Sequence, residues 1–208
     1  MKSEPVNIKD KYKKDYMVEA QPGTANLDPS SWPSYGIPDL IAQVEQAHSE
    51  GKYCFIWDKT DQIDTFFKYK GFLCDFYFAV MKVEHQRSSV EDAIEKLRSD
   101  FIKSGRQGQH LMVNLAEYAP DFINIYSDPN LLDVNTAFNR TEWLKKEVHT
   151  SKLKEGENYS ANAMSAGLYY LQPEWTMTIR STAANAAAVQ EVLSKIPHIN
   201  DFRCIIME

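Results

Sequence analysis

The stretch "YCFIWDKTDQIDTFF", residues 53–67, decides how the fold is interpreted. It begins with five consecutive apolar or aromatic residues, Tyr53 to Trp57, a run that is typical of a strand covered on both faces. A polar turn follows, and Phe66 and Phe67 then open an apolar helical pattern. Phosphate-binding loops lie at strand-to-helix junctions of this kind, so the junction raises the question of whether the chain binds a nucleotide.

Helical and strand patterns alternate on both sides of this junction. Helices are expected at residues 38–51, 88–105, 135–149 and 183–196, and a largely buried helix or helix-to-strand segment at 66–81. Buried strands are expected near residues 53–57, 110–115, 175–180 and 203–207. Ser88 and Glu91 fit a capping box at the start of the second helix. The alternation predicts βαβ units, and therefore an α/β fold with a mostly parallel central sheet flanked by helices.

Composition excludes several classes of partner. The 208 residues carry a net charge of −6, whereas nucleic-acid binding usually requires a basic surface. The longest apolar run is too short to span a bilayer, and the mixed charges of the first 16 residues do not fit a signal or transit peptide. Cys54, Cys74 and Cys204 lie far apart among apolar neighbours, so we expect reduced structural cysteines, no metal site and a cytoplasmic location.

The N-terminal region differs in composition from the rest of the chain. Five of the nine prolines lie within residues 1–38, and aliphatic residues are few there. We therefore expect an extended or disordered N-terminal arm at residues 1–37 and an α/β domain at residues 38–208. The aromatic and apolar side chains of the arm suit docking on other proteins, and they are Tyr12, Tyr16, Met17, Trp32 and Tyr35.

The junction lacks the residues that a phosphate loop requires. In the pattern Gly-x-x-x-x-Gly-Lys-Ser/Thr, the glycines expose backbone N–H groups, the lysine neutralises phosphate charge and the hydroxyl ligates magnesium. Aligned with that pattern, the chain reads Asp58, Lys59, Thr60, Asp61, Gln62, Ile63, Asp64 and Thr65. Only Thr65 matches, and both glycine positions carry side chains.

Charge also opposes nucleotide binding at this turn. Asp58, Asp61 and Asp64 occupy the space that phosphates would need, and a carboxylate about 4 Å from a phosphate costs a few kcal/mol at an effective dielectric constant of about 20. Three carboxylates could instead bind a divalent cation, but the spacing of an EF-hand is missing. A solvated turn, in which Asp64 caps the next helix, is the interpretation that the sequence favours, with no cofactor bound.

The order of the elements resembles that of P-loop ATPases of the AAA class. The predicted strand "LMVNL" has Asn114 at its end and Glu117 three residues later, where an active ATPase has an acid that holds magnesium. "WTMTIRST" lies where a polar sensor strand would be, and "IPHINDFRCIIME" resembles the last loop and strand of such a module. Over residues 38–208 the chain therefore resembles a degenerate P-loop domain, similar to the AAA modules of dynein-type motors that have lost catalysis.

This resemblance implies a three-layer, P-loop-NTPase-like architecture and a protein without catalytic activity. It would be a structural or interaction subunit of a larger assembly, of the cytoskeletal or ciliary (axonemal) kind. The alternative is a nucleotide-dependent or phosphoryl-transfer enzyme with an unconventional phosphate loop. The residues available for that chemistry are Lys59, Thr65, Asn114, Glu117 and Arg180.

Overall fold

The computed structural model describes residues 28–159 and 168–208. Its strands are β1 (Ser34–Tyr35), β2 (Cys54–Asp58), β3 (Phe72–Asp75), β4 (Leu111–Asn114), β5 (Met177–Ser181) and β6 (Arg203–Met207). Its α-helices are α1 (Leu40–Ser49), α2 (Ile63–Lys70), α3 (Phe76–Glu84), α4 (Val90–Gln107), α5 (Val134–Ala137), α6 (Arg140–Trp143), α7 (Lys146–Thr150) and α8 (Ala186–Leu193). Short 3-10 turns lie at Pro29–Ser31, Ile37–Asp39 and Ile199–Asp201.

The six strands form one sheet in the order β1-β6-β2-β5-β4-β3, and every pairing is parallel. All residues of β2, β4 and β5 are buried because these strands lie inside the sheet with helices on both faces. Because both faces of β2 and β4 are covered by helices, their sequences consist mainly of uninterrupted apolar residues. The α/β fold with a parallel central sheet flanked by helices, expected from the sequence, is confirmed.

Each face of the sheet has its own apolar core. Helices α1 and α2 cover one face with Leu40, Val44, Ile63 and Phe67, which pack on strand residues that include Ile56, Met112 and Ile205. The opposite face carries a larger core under α3, α4 and α8. Aromatic residues from several elements fill the middle of this larger core: Phe101, Phe122, Phe138, Trp143 and Trp175.

Three element boundaries differ from the expectations. Phe72–Asp75 forms the edge strand β3, which pairs with β4, inside the segment 66–81 that was expected as a helix or a helix-to-strand segment without defined boundaries. The capping box of α4 uses Ser89 and Asp92, one residue beyond the expected pair of Ser88 and Glu91. The helix expected at 135–149 is divided into α5, α6 and α7, and the side chains of Asp133 and Asn139 cap the first two of these.

The first described residues are part of the packed structure. Ser34–Tyr35 pairs with β6 as strand β1, and the ring of Trp32 contacts that of Phe55 edge-on at 5.8 Å. Tyr35 packs against the core under α1 and α2. The expected boundary between arm and domain at residue 38 therefore falls after a strand of the sheet. Tyr12, Tyr16 and Met17 lie outside the described residues.

The connections of β2 and β5 leave the sheet on opposite faces. The chain after β2 passes through α2 on the face of α1 and continues to β3 at the far edge. The chain after β5 passes through α8 on the other face and continues to β6. Because β2 and β5 are neighbours, their carboxyl ends form the crevice in which open α/β sheets bind ligands.

Candidate functional site

Polar side chains lie in a row where four neighbouring strands end. Asp58, Asp75 and Asn114 are the last residues of β2, β3 and β4. Arg180 pairs in register with Asn114, which pairs with Asp75, so the three side chains point to the same face of the sheet. These four residues and Asp61, from the turn after β2, are called the strand-end cluster below.

Arg180 is the centre of the strand-end cluster, and it is 2% exposed. Its Nε donates a hydrogen bond to Asp58 Oδ2 at 2.8 Å, Nη1 donates to Asn114 Oδ1 at 3.0 Å, and Nη2 donates to Asp61 Oδ1 at 2.6 Å. Nη2 also lies 2.8 Å from Asp58 Oδ2. A buried guanidinium is stable only when its charge and its donors are satisfied, and here all three nitrogens have partners.

The second oxygen of Asp58 organises the turn after β2. Asp58 Oδ1 accepts hydrogen bonds from the backbone N–H of Thr60 at 2.9 Å, the hydroxyl of Thr60 at 2.6 Å and the backbone N–H of Asp61 at 3.1 Å. The N–H of Gln62 donates in turn to Thr60 Oγ1 at 3.1 Å. The turn is therefore an Asx-type turn, built around the carboxylate at the end of its own strand.

This arrangement reverses the geometry of a phosphate loop. In a phosphate loop the backbone N–H groups point at the ligand, whereas here those of Thr60 and Asp61 point at Asp58. The carboxylate of Asp58 has the place among the loop amides that a phosphate oxygen would take. No side-chain oxygen of Asp58 is exposed, because its side chain is 0% accessible. The turn thus has its own internal anion.

Asn114 links the cluster to the edge strand. Its Nδ2 donates to Asp75 Oδ1 at 3.0 Å, and its Oδ1 accepts from the backbone N–H of Ala116 at 3.1 Å as well as from Arg180. Ala116 has a φ of 48°, a left-handed conformation that is costly for a residue with a Cβ. The oxygen of the Asn114 amide thus stabilises the turn after β4, and both the oxygen and the nitrogen of this amide are already hydrogen-bonded.

The structure brings together only part of the site considered from the sequence. Asp58, Thr60, Asp61, Asn114 and Arg180 meet in or beside the strand-end cluster. The other residues lie elsewhere: Lys59 pairs with Glu208 at 3.0 Å, Ile63 is a core residue, Glu117 is exposed, and Gln62 and Thr65 lie on the outer side of α2. Asp64 and Thr65 align with the lysine and the hydroxyl residue of the phosphate-loop pattern. Neither of them directs a free hydrogen-bond donor at Arg180.

Asp64 does not cap α2 as expected. Gln62 occupies the N-cap position without a side-chain hydrogen bond, and Asp64 lies in the first turn, where it pairs with Lys68 at 3.2 Å. Burial alone would raise the pKa of Asp64, but the hydrogen bond from Lys68 and the charge of Arg180 outweigh burial and lower it. Asp64 therefore adds negative charge at the start of α2.

Asp75 is the member of the cluster that the sequence interpretation missed. The signal was present, because Asp75 ends the apolar run "GFLC" and precedes another apolar run, as expected for a strand end. It was missed because residues 66–81 were interpreted as a helix or a helix-to-strand segment in which no strand end was defined. Its carboxylate raises the number of acids in the cluster to three, against one guanidinium. This excess of negative charge disfavours phosphate binding at this edge of the sheet.

Within residues 28–159 and 168–208, no group of three or more His, Cys, Asp or Glu side chains is arranged to hold a metal ion. In the same ranges, no helix combines the length and the apolar character needed to cross a membrane. No protein-family model matches the chain, and neither a curated protein nor a solved structure matches it.

Proposed function

We propose that this chain is a non-catalytic structural or interaction subunit of a larger protein assembly. The observation that carries the proposal is the strand-end cluster, where side chains of the domain fill the crevice in which α/β proteins bind ligands. The donors of Arg180 and the acceptors of Asp58 are directed at each other rather than outward. A domain whose ligand edge is closed in this way is suited to be a rigid building block.

Exposed apolar side chains support the interaction role. Tyr69 is 84% exposed, Leu168 is 65% exposed and Tyr170 is 57% exposed. Aromatic residues at the surface are enriched in protein interfaces, because they bury a large area at a small entropic cost. The arm residues Tyr12, Tyr16 and Met17 are proposed to dock on partner proteins. A cytoskeletal or ciliary assembly is part of the proposal on the strength of the sequence resemblance alone.

A phosphoryl-transfer enzyme is the second candidate, and the meeting of Arg180 with Asn114 at the carboxyl edge favours it. In such an enzyme an arginine at this edge would stabilise phosphate charge. Against it, the guanidinium is already paired with Asp58 and Asp61. Nucleotide binding would require both contacts to open and leave Asp58 buried without its counter-charge.

Calorimetric titration of the full chain with magnesium–ATP and magnesium–GTP separates the two candidates. We expect no saturable heat at millimolar nucleotide, because the loop amides and Arg180 are occupied by Asp58. Saturable micromolar binding of either nucleotide, with or without the Thr65 hydroxyl in a Thr65→Ala variant, would overturn the proposal and support the enzyme.

The interaction role is tested by affinity capture under native conditions followed by mass spectrometry. The variant Tyr12→Ala/Tyr16→Ala should lower the recovery of specific partners at least ~10-fold, which corresponds to about 1.4 kcal/mol of binding free energy. The matched control is Phe78→Ala, at an exposed aromatic residue of the domain that the proposal does not use. Equal recovery with the parent and both variants would contradict a docking role of the arm.

A further inference from the structure

Two buried hydrogen-bond donors at the amino edge of the sheet have no partner. Tyr53 directly precedes β2, and it is 1% exposed. Its hydroxyl is buried without a hydrogen-bond partner among the described residues, and so is Nε of Arg140 on α6. Buried polar groups are almost always hydrogen-bonded, so a neighbouring pair of exceptions indicates a site for a bound molecule.

Aromatic packing brings Arg140 and Tyr53 together. Trp143, one turn after Arg140 on α6, has its ring centre 6.5 Å from that of Trp175. The ring of Tyr53 contacts Trp175 edge-on at 5.9 Å. Burial raises the pKa of Tyr53, and the charge of Arg140 opposes this rise. The guanidinium therefore lies near the Tyr53 hydroxyl, at the start of β2.

There is room beside this guanidinium. Gly51 lies in the turn between α1 and β2 and has a φ of 73°. Beyond the chain neighbours of Gly51, a Cβ added there would meet only Nη1 of Arg140, at 3.9 Å. Arg140 as a whole is half-buried, so solvent reaches part of its side chain. The Arg140 guanidinium, the Tyr53 hydroxyl and the space beside Gly51 are called the amino-edge site below.

The charge of Arg140 selects an anion for this site. The buried guanidinium groups of Arg98 and Arg180 are paired with carboxylates of the chain. In the described part of the chain, Arg140 has no such ion pair, and its Nε has no acceptor. Guanidinium groups bind carboxylates and phosphates through parallel, charge-assisted hydrogen bonds. A water molecule could accept from either orphaned donor, but it would bring no counter-charge to Arg140.

The neighbouring groups favour a ligand with a single negative charge. His48 lies in the last turn of α1, and burial and the charge of Arg140 lower its pKa, against smaller opposite effects of the Pro173 backbone and Glu174. His48 is therefore neutral at about pH 7.5. Arg140 then supplies one positive charge, and Glu174 adds negative charge on the side of His48. A phosphate dianion is compensated less well in this setting than a carboxylate.

We propose that the amino-edge site binds the carboxylate group of a small organic acid. One carboxylate oxygen accepts a hydrogen bond from Arg140 Nε, and the other accepts from the hydroxyl of Tyr53. This inference goes beyond the proposed function, because the site lies at the opposite edge of the sheet from the strand-end cluster. One charge and one hydroxyl hold the ligand, so we expect a dissociation constant of about 5 mM for acetate.

Acetate is the probe for this site. The full chain is denatured with urea at about pH 7.5, with sodium chloride exchanged for sodium acetate at constant ionic strength. At about 50 mM acetate the equilibrium constant for folding should rise about 10-fold, because acetate binds only the folded protein. Sodium phosphate at matched ionic strength should give a smaller rise. No rise with acetate, or a larger rise with phosphate, would overturn the proposal.

Two variants separate binding at the site from a general effect of acetate on stability. Arg140→Gln removes the counter-charge and Tyr53→Phe removes only the hydroxyl, so each should reduce the acetate effect from about 10-fold to less than about 3-fold. Without acetate, Tyr53→Phe should be at least as stable as the parent, because the hydroxyl that it loses has no partner. An acetate effect that persists in both variants would overturn the proposal.

Matched controls complete the test. Arg87→Gln removes an exposed arginine, and Tyr126→Phe removes the hydroxyl of a buried tyrosine. Tyr126 packs against Phe76, which follows the carboxyl end of β3, so it lies at the other edge of the sheet. Both controls should keep the full acetate effect of the parent. A loss of the effect in either control would show that acetate does not act at the amino-edge site.

Discussion

Arg180 and Arg98 are both 2% exposed, but the carboxylates that pair with them differ in burial. Arg98, on α4, donates to both oxygens of Glu95 at 2.8 Å and to the two oxygens of Glu157 at 2.7 and 2.8 Å. The side chains of these glutamates are 32% and 23% exposed. Arg180 has one partner of each kind: the side chain of Asp58 is 0% exposed, whereas that of Asp61 is 84% exposed.

The two arginines also join different kinds of structure. Arg98 links the loop at residues 152–157 to α4. Its Nη1 also donates a hydrogen bond to the carbonyl oxygen of Lys152 at 2.7 Å. Arg180 joins the ends of β2, β4 and β5 at the carboxyl edge of the sheet. A buried arginine is therefore indispensable where its partner cannot reach water, and replaceable where the partner can be rehydrated.

Replacing Arg180 should have the largest effect. In Arg180→Met the carboxylate of Asp58 stays buried without its counter-charge, and we expect a loss of about 3–5 kcal/mol in the free energy of unfolding. Urea denaturation followed by circular dichroism measures this loss. The double variant Asp58→Asn/Arg180→Met should recover at least about 1 kcal/mol, because the orphaned charge is gone. A single variant as stable as the parent would mean that Asp58 is not held by Arg180.

Replacing Arg98 should cost less. In Arg98→Met the side chains of Glu95 and Glu157 can turn to solvent, so we expect a loss of about 1–3 kcal/mol. Limited proteolysis should also cleave the loop at residues 152–157 faster, because its hydrogen bonds to α4 are lost. Arg87→Met is the matched control, since Arg87 is exposed, and it should leave stability unchanged. If Arg98→Met destabilised the protein more than Arg180→Met, the comparison would be reversed.

Acid should weaken the domain through its histidines. His110 bonds Thr178 Oγ1 through Nε2 at 2.7 Å under Phe67, and burial lowers its pKa to about 3. Burial also lowers the pKa of His48 and His149. The unfolded chain, whose histidines have a pKa of about 6.5, therefore binds more protons than the folded protein between that pH and pH 3, so stability falls as pH falls through this window.

Denaturation curves of the parent and of His110→Gln isolate this contribution. Between pH 6.5 and pH 5.5 the parent should lose about 1 kcal/mol more than the variant, because the variant has no imidazole to protonate at this position. His85→Gln, at an exposed histidine, is the control and should follow the parent. Equal losses in the parent and His110→Gln would show that His110 titrates in the folded protein much as it does in the unfolded chain.

Replacing Lys59 should have the smallest effect. Lys59 belongs to the same turn as Asp58, but its ammonium pairs with the exposed Glu208 and lies 4.7 Å from the ring centre of Trp57. Exposed pairs contribute little, so Lys59→Ala should change the free energy of unfolding by no more than about 0.5 kcal/mol. A loss comparable to that of Arg180→Met would place Lys59 in the network that holds the turn.

Local sequence determined the parts of the protein that local chemistry controls. The apolar runs at β2, β4 and β6 predicted buried strands, since only strands covered on both faces need uninterrupted apolar residues. The residues at 58–65 showed by themselves that the turn has neither the glycines nor the lysine of a phosphate loop. The alternation of patterns predicted the parallel α/β sheet.

Tertiary structure alone decided which residues form the candidate site. Arg180 meets Asp58, which is 122 positions away in the sequence, and Asn114, which is 66 positions away. The order β2-β5-β4-β3 brings them side by side, and strand order depends on how crossover connections pack, not on any local pattern. For the same reason the edge strand β1 was missed and the bounds of the edge strand β3 were not predicted: each is short and is defined by its hydrogen bonds to β6 or β4, which lie far away in the chain.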